Sequence, residues 1–221
     1  NQFSNAINHY KAALKLEPKN AEVLNNLGLT FKAIGDFKKA NECFENSISI
    51  KPDFAEAFNN MALSLKEERK FEKAIVSLEK AIALKNNYAE AYYNLGNVYN
   101  LLGELEKSIN MFTRAIDIKS DYFDAYNNLG AVYNLKKDYD KAYQNIQKAI
   151  SLNPNNADAF NNLGTSALNL NKEDEAIAHY NKAISIDPKL IIAYSNLCGL
   201  FEKSNNLKEF ENILEKTKEL K

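Results

Sequence analysis

Glycine and proline are scarce in this chain: seven and four among 221 residues, together about 5% where roughly 12% is usual. Sandwiches, barrels and flexible linkers need more turn chemistry than that. Cysteine is scarcer still. Cys43 and Cys198 lie 155 positions apart, and so distant a pair announces neither a disulfide framework nor a metal site. An excess of one charge is also missing. The formal net charge of −1 gives no electrostatic case for nucleic acid or an anionic membrane, both of which reward clustered basic charge. No apolar run reaches the roughly 18 residues of a spanning helix.

What is present is an apolar fraction of 45%, ample for a core and too high for a disordered chain. Few breakers with abundant Ala, Leu, Ile, Lys, Glu and Asn point to helices joined by short turns. The four prolines share one register. Pro18 and Pro52 lie 34 residues apart, Pro52 and Pro154 three times that, and Pro154 and Pro188 again 34. A fixed period of this size is the signature of a repeat architecture. Position 1 of successive repeats then falls at Ala21, Ala55, Ala89, Phe123, Ala157 and Ile191.

Each position has a physical reading. Position 4 is bulky throughout (Leu24, Phe58, Tyr92, Tyr126, Phe160, Tyr194), and position 8 is always small (Gly28, Ala62, Gly96, Gly130, Gly164, Cys198). Position 20, in the second helix, is small as well: Ala40, Ala74, Ser108, Ala142 and Ala176. Small residues on both partners allow a close antiparallel crossing, while large ones at positions 4, 11, 24 and 28 fill the flanks. Asp53, Asn87, Asp121 and Asn155, each followed three residues later by an acid, read as helix N-caps. Gly35 and Gly103 occupy position 15, where the first helix ends and a left-handed residue is wanted. Asn171 and Asn205 suit that place moderately, whereas Arg69 and Lys137 cost about 1 kcal/mol there.

In period and at most signature positions the chain resembles the tetratricopeptide repeat (TPR) over its whole length. The resemblance implies an all-α, right-handed superhelix of stacked antiparallel helix hairpins. A single array is expected. Residues 1–20 supply the second helix of a partial repeat; 21–54, 55–88, 89–122, 123–156 and 157–190 are full repeats; 191–221 form a divergent cap. The cap carries Lys218 where earlier repeats have isoleucine, and Phe210 at the otherwise small position 20. A charged, irregular last helix reads as a solvating end. At the other end Phe3, Ile7, Tyr10 and Leu14 form a helix face without its own partner, open to self-association or to a longer upstream array. The start at NQFSNAI, without an initiator methionine, reads as a piece of a longer protein.

Enzymes need converging reactive groups, and few are offered. His9 and His179 both fall at position 23, five repeats apart; Cys43 and Cys198 are comparably separated. They read as helix histidines and small hydrophobes respectively. No phosphate loop, metal ligand set or cofactor motif is found, so no catalytic role and no cofactor is expected of this segment. Lys51, Lys85 and Lys119 at position 31 read as a solvated face.

What remains is a surface. First helices are expected to line a concave groove, exposing positions 2, 5, 6, 9, 12 and 13. Position 6 is Asn26, Asn60, Asn94, Asn128, Asn162 and Asn196, asparagine in every repeat. Position 5 adds Asn25, Asn59, Asn127 and Asn161, and position 9 adds Asn97. Asparagine offers donors and an acceptor that match a peptide backbone. Helices about 8–10 Å apart against an extended chain advancing about 3.3 Å per residue set one asparagine against every third peptide residue. Bonding to a neighbouring turn is the competing reading. Leu29, Leu63 and Tyr93 are candidates to contact partner side chains, with core packing the alternative for the two leucines. The ladder is similar to that in the TPR region of O-linked N-acetylglucosamine transferase. That likeness implies a protein or peptide partner, and, as an alternative, a substrate-recognition arm of a larger glycosyltransferase or sulfotransferase-type enzyme. A carboxylate clamp of the co-chaperone kind is excluded: position 2 is acidic in five repeats and position 5 is never basic.

Overall fold

The computed structural model describes residues 2–218. They form thirteen helices and no strand: α1 (Gln2–Leu16), α2 (Ala21–Ala33), α3 (Phe37–Ile50), α4 (Ala55–Glu67), α5 (Phe71–Leu84), α6 (Ala89–Leu101), α7 (Leu105–Ile118), α8 (Phe123–Leu135), α9 (Tyr139–Leu152), α10 (Ala157–Asn169), α11 (Glu173–Ile186), α12 (Ile191–Lys203) and α13 (Leu207–Lys218). The chain divides into two compact units, Asn1–Ile118 and Lys119–Lys221. In the first, α2–α3, α4–α5 and α6–α7 are hairpins, with α1 against α2, α3 against α4 and α5 against α6. In the second, α8–α9, α10–α11 and α12–α13 are hairpins, with α9 against α10 and α11 against α12. Within each unit, successive first helices also touch: α2 and α4, α4 and α6; α8 and α10, α10 and α12.

The hairpin crossing explains the small residue at position 8. A methyl group built on Gly28 would lie 2.6 Å from the Phe44 ring, on Gly96 2.7 Å from Phe112, and on Gly164 2.6 Å from Tyr180. These partners all stand at position 24, and all three rings are essentially buried. Where position 8 is Ala62, position 24 is the smaller Leu78, also buried. A methyl group on Gly130 would clash with Ile146 in the same way, so where position 8 is glycine its contact with position 24 leaves no slack. At position 20, Ala40, Ala74, Ser108, Ala142 and Ala176 are fully buried, and the Ser108 hydroxyl donates to the Gly96 carbonyl at 2.9 Å.

The turn inside each hairpin has one backbone geometry whatever its sequence. Position 15 is left-handed in all six repeats: Gly35 (φ 80°), Arg69 (60°), Gly103 (74°), Lys137 (63°), Asn171 (60°) and Asn205 (53°). The following N–H closes a six-residue loop, as from Asp36 to the Phe31 carbonyl at 3.0 Å and from Asp138 to that of Tyr133 at 3.0 Å. This is the Schellman geometry expected of a helix C-terminus.

The starts of the first helices depart from expectation. The N-caps are not Asp53, Asn87, Asp121 and Asn155 but the residues one later, at position 34. Asn20 and Asn156 cap with their side chains, accepting from the Val23 and Ala159 amides at 3.0 and 2.8 Å. Phe54, Tyr88 and Tyr122 make no side-chain cap. Their rings instead lie under an ammonium from position 31: Lys51, Lys85 and Lys119 at 4.7, 4.6 and 4.8 Å, within the reach of a cation–π contact. Lys51 also meets Glu22 at 2.8 Å and Lys85 meets Glu56 at 3.1 Å. The lysines read as a merely solvated face thus clasp the end of one helix to the start of another. The hydrogen bond to Lys51 lowers the Glu22 pKa and raises that of the lysine.

Gly96→Ala is expected to cost about 1–3 kcal/mol through overpacking against Phe112. Adding Phe112→Leu recreates the Ala62–Leu78 pair, so a double-mutant cycle in urea should show a favourable coupling of about 1 kcal/mol or more. Lys137→Gly should stabilise by about 0.5–1 kcal/mol, the left-handed strain relieved less the added chain entropy of glycine. Its signature is a higher urea midpoint at unchanged slope.

Candidate functional site

The asparagine ladder is built from bonds between repeats. The side-chain amide of position 6 donates to the side-chain oxygen of position 5 one repeat earlier: Asn60 to Asn25 at 2.9 Å and Asn94 to Asn59 at 2.8 Å in the first unit. In the second unit Asn162 donates to Asn127 at 3.2 Å and Asn196 to Asn161 at 2.8 Å. The register is 35 residues, one more than the period. The position-5 asparagines, expected to be exposed, are not. Asn25, Asn59 and Asn161 are 6%, 0% and 5% exposed, because side-by-side first helices close over them. A buried amide needs a partner, and the neighbouring repeat provides it. The signal was present in the sequence as Asn-Asn doublets in one register of the 34-residue period, in four of the six repeats.

Position 6 lies at the outer edge of this seam. Asn26 is exposed; Asn60, Asn128, Asn162 and Asn196 are half-buried; Asn94 is buried. An asparagine amide has two N–H groups and an oxygen with two lone pairs. After the inter-repeat bond, Asn60, Asn94, Asn162 and Asn196 each keep one N–H and the oxygen. Asn134 at position 12 is similarly engaged, donating to the Asn162 carbonyl at 3.2 Å and accepting from the Ser166 hydroxyl at 2.9 Å, whereas the buried side-chain oxygen of Asn100 has no hydrogen-bond partner.

Of the apolar candidates, Leu29 packs against the Leu27–Phe31–Phe44 core, whereas Leu63 is half-buried on α4. Tyr93 stands at position 5 of α6, its ring 5.8 Å from Phe112, and Asn97 is half-buried one turn on. Lys32, at position 12 of α2, is half-buried, and burial together with nearby Lys66 lowers its pKa. On α1, Ile7, Tyr10 and Leu14 pack against the same core as Leu29, and Phe3 is 50% exposed. Phe210 is drawn into the α11–α12–α13 core; the Lys218 side chain lies outside the described residues.

Among the described residues, reactive side chains do not converge. His9 is exposed on α1. His179 on α11 sits between the rings of Phe160 and Tyr143, at centroid distances of 6.2 and 6.4 Å. Burial lowers its pKa. Burial pushes the Cys43 thiol up to about 11 and raises that of Cys198, the reverse of an activated nucleophile. Among the described residues no group of three or more His, Cys, Asp or Glu could hold a metal ion, and no helix is long and apolar enough to cross a membrane.

Helix hairpins of this size, joined by left-handed turns and packed small against large, define an α-helical repeat protein with an amide seam along its first helices. A model of the TPR repeat matches residues 1–35, 64–103 and 96–137, and models of the tetratricopeptide repeat match 21–54, 123–156 and 157–190. The chain belongs to the tetratricopeptide repeat family, and its class is that of protein-interaction modules. Among solved structures, MamA is similar at 28% identity with a TM-score of 0.67, over 76% of this chain and 92% of that one. YrrB, described as a TPR protein with an unusual peptide-binding site, aligns at 19% identity and TM-score 0.68 over 85% and 96%. A TPR protein of Parabacteroides merdae aligns at 21% and 0.76 over 89% and 78%. No curated protein matches the sequence.

The seam makes a differential prediction. Asn59→Ala strands the buried Asn94 amide and should cost about 1–3 kcal/mol. Asn26→Ala, at an exposed position, should stay within about 0.5 kcal/mol of the parent. Urea denaturation of both variants is the measurement, and similar costs for the two would contradict a seam held by buried amides.

Proposed function

We propose that the first-helix face binds an extended segment of a partner protein, with position-6 asparagines holding its backbone. One observation carries this reading: each paired position-6 amide is fixed in orientation by its bond to the preceding repeat yet keeps a donor and an acceptor. A fixed amide loses little rotamer freedom when a ligand arrives, which is how preorganisation raises affinity. Asn26, Asn60, Asn94, Asn128, Asn162 and Asn196 are assigned to the backbone, with Asn97 beside them. Leu63 and Tyr93 are assigned to partner side chains, Leu29 contributing from the core side. The peptide-binding site in the description of YrrB supports a peptide as the kind of ligand such a repeat protein accepts.

Selection of the full chain against a displayed library of random peptides tests the reading. Binders should shift the amide resonances of α2, α4 and α6 or of α8, α10 and α12. Asn60→Ala or Asn162→Ala, in variants whose circular dichroism stays native, should weaken them by roughly tenfold, the worth of a hydrogen bond of about 1.4 kcal/mol. Binders that shift only second helices, or that are indifferent to both substitutions, would overturn it.

A further inference from the structure

The second-helix side of the first unit carries a hollow of about 520 Å³ between α3 and α5, floored by Met61 and Leu65 of α4 and bordered by Val76. Its volume falls in the range of roughly 300–1,000 Å³ that ligand sites occupy. Its cause can be read from two positions, 21 of one repeat and 23 of the next, which fill the junction between consecutive second helices. The α1–α3 junction has Ile7 and Cys43, both in the core there. The α5–α7 junction has Ile75 and Met111, packed against the core. The α11–α13 junction has Ile177 and Ile213. At α3–α5 the same positions hold Asn41 and Ser77, two small polar residues where those three junctions put apolar side chains.

The equivalent junction of the second unit, α9–α11, shows what such a space accepts. There position 21 is Tyr143, whose hydroxyl donates to Glu175 at 2.7 Å. Its ring lies beside His179 at position 23 and under the Lys172 ammonium at 4.7 Å. The α3–α5 hollow keeps the cation and lacks the ring. Lys70, on its rim, occupies the repeat position of Lys172. The carboxylate is exchanged: Lys73 stands where Glu175 does, so the far end of a ring would meet a donor. Acceptors remain around the hollow in Glu42 and Glu45. The Asn41 amide donates to Glu68, but its oxygen is sealed from solvent and has no hydrogen-bond partner. Phenol oxygen both accepts and donates, which suits this mixed rim better than a carboxylate or an ammonium. The rim's three lysines and four glutamates give no net reason to prefer an ion.

We propose that the α3–α5 hollow is a socket for a tyrosine side chain of a partner protein, filling the place that Tyr143 fills within the second unit. The ring lies on Met61, Leu65 and Val76 under Lys70, and the hydroxyl bridges Lys73 and the rim acceptors. The socket is on the second-helix side, so it is independent of peptide binding on the first helices.

The test is a titration of the full chain with p-cresol, the side chain of tyrosine, followed by amide and methyl NMR. Saturable shifts at Asn41, Met61, Leu65, Val76 and Ser77 are expected, with toluene clearly weaker. The double substitution Asn41→Tyr with Ser77→His copies the filled junction. It should raise the melting temperature and weaken p-cresol binding by at least about tenfold. Ser77→Met, copying the α5–α7 junction, serves should the double variant not fold, and should block p-cresol likewise. Absence of saturable shifts in the hollow would overturn the proposal. So would equal binding of toluene, or p-cresol shifts that persist in a folded blocked variant. Concentration-dependent broadening of the same residues with no p-cresol response would assign the hollow to a second copy of the chain, and would overturn it too.

Discussion

The approach of two helices at a point where one of them has no side chain is the constraint from which the rest of this structure follows. Position 8, glycine in four of the six repeats, brings a backbone against the ring or the isoleucine of position 24, and that contact sets how close the two helices of such a hairpin lie. Close helices need a turn that reverses in few residues, hence the left-handed residue at position 15. They also leave the other face of each first helix free to meet its neighbour within the unit. The interior is therefore a series of contacts within one repeat or between adjacent repeats, as expected of repeat architectures.

Between repeats the contact is of a different kind. Leucine and alanine would slide along a neighbouring helix at little cost. A buried amide cannot, because its unpaired oxygen or N–H costs more than the bond itself contributes. The Asn60–Asn25, Asn94–Asn59, Asn162–Asn127 and Asn196–Asn161 bonds are satisfied in one register only. They fix how consecutive first helices align within each unit, and so determine the spacing at which outward groups are presented. A structural and a binding role for these asparagines are then two consequences of one geometry, since an amide must be held before it can be offered at a repeating interval.

The hairpin architecture was legible in the sequence because its determinants are local and recur. Four prolines, the small position 8 and the positions 15 of Gly35 and Gly103 repeat on one period, and pattern alone assigns them. Even Arg69 and Lys137 could be placed in left-handed turns from register, against their own preference. The site was legible only in part. Asn26 and its successors stood out by repetition, but whether Asn25 and Asn59 faced solvent depended on helices a repeat away, which no single-helix pattern specifies. The N-caps were misplaced by one residue. Asp53 and Asn87 have the right chemistry, yet the helix boundary falls at position 34 whether that residue is an asparagine that caps with its side chain, as at Asn20 and Asn156, or a ring held by the lysine three positions before it, as at Phe54 and Tyr88. The hollow beside Asn41 was invisible because it arises from what two positions lack together.

The clasp formed by Glu22, Lys51 and Phe54, and again by Glu56, Lys85 and Tyr88, has a bearing on heredity. All three members fall inside one repeat, at positions 2, 31 and 34, so a copy of that whole stretch of gene arrives with its fastening intact. The fifth repeat has Asp158, Asp187 and Leu190 at these places, a set that cannot clasp. A cut in mid-repeat that joined the Glu22 half of one repeat to the Asp187 half of another would leave two acids at these places, as the fifth repeat has already, and would lose the clasp. A whole repeat is thus the smallest piece that carries its fastening with it.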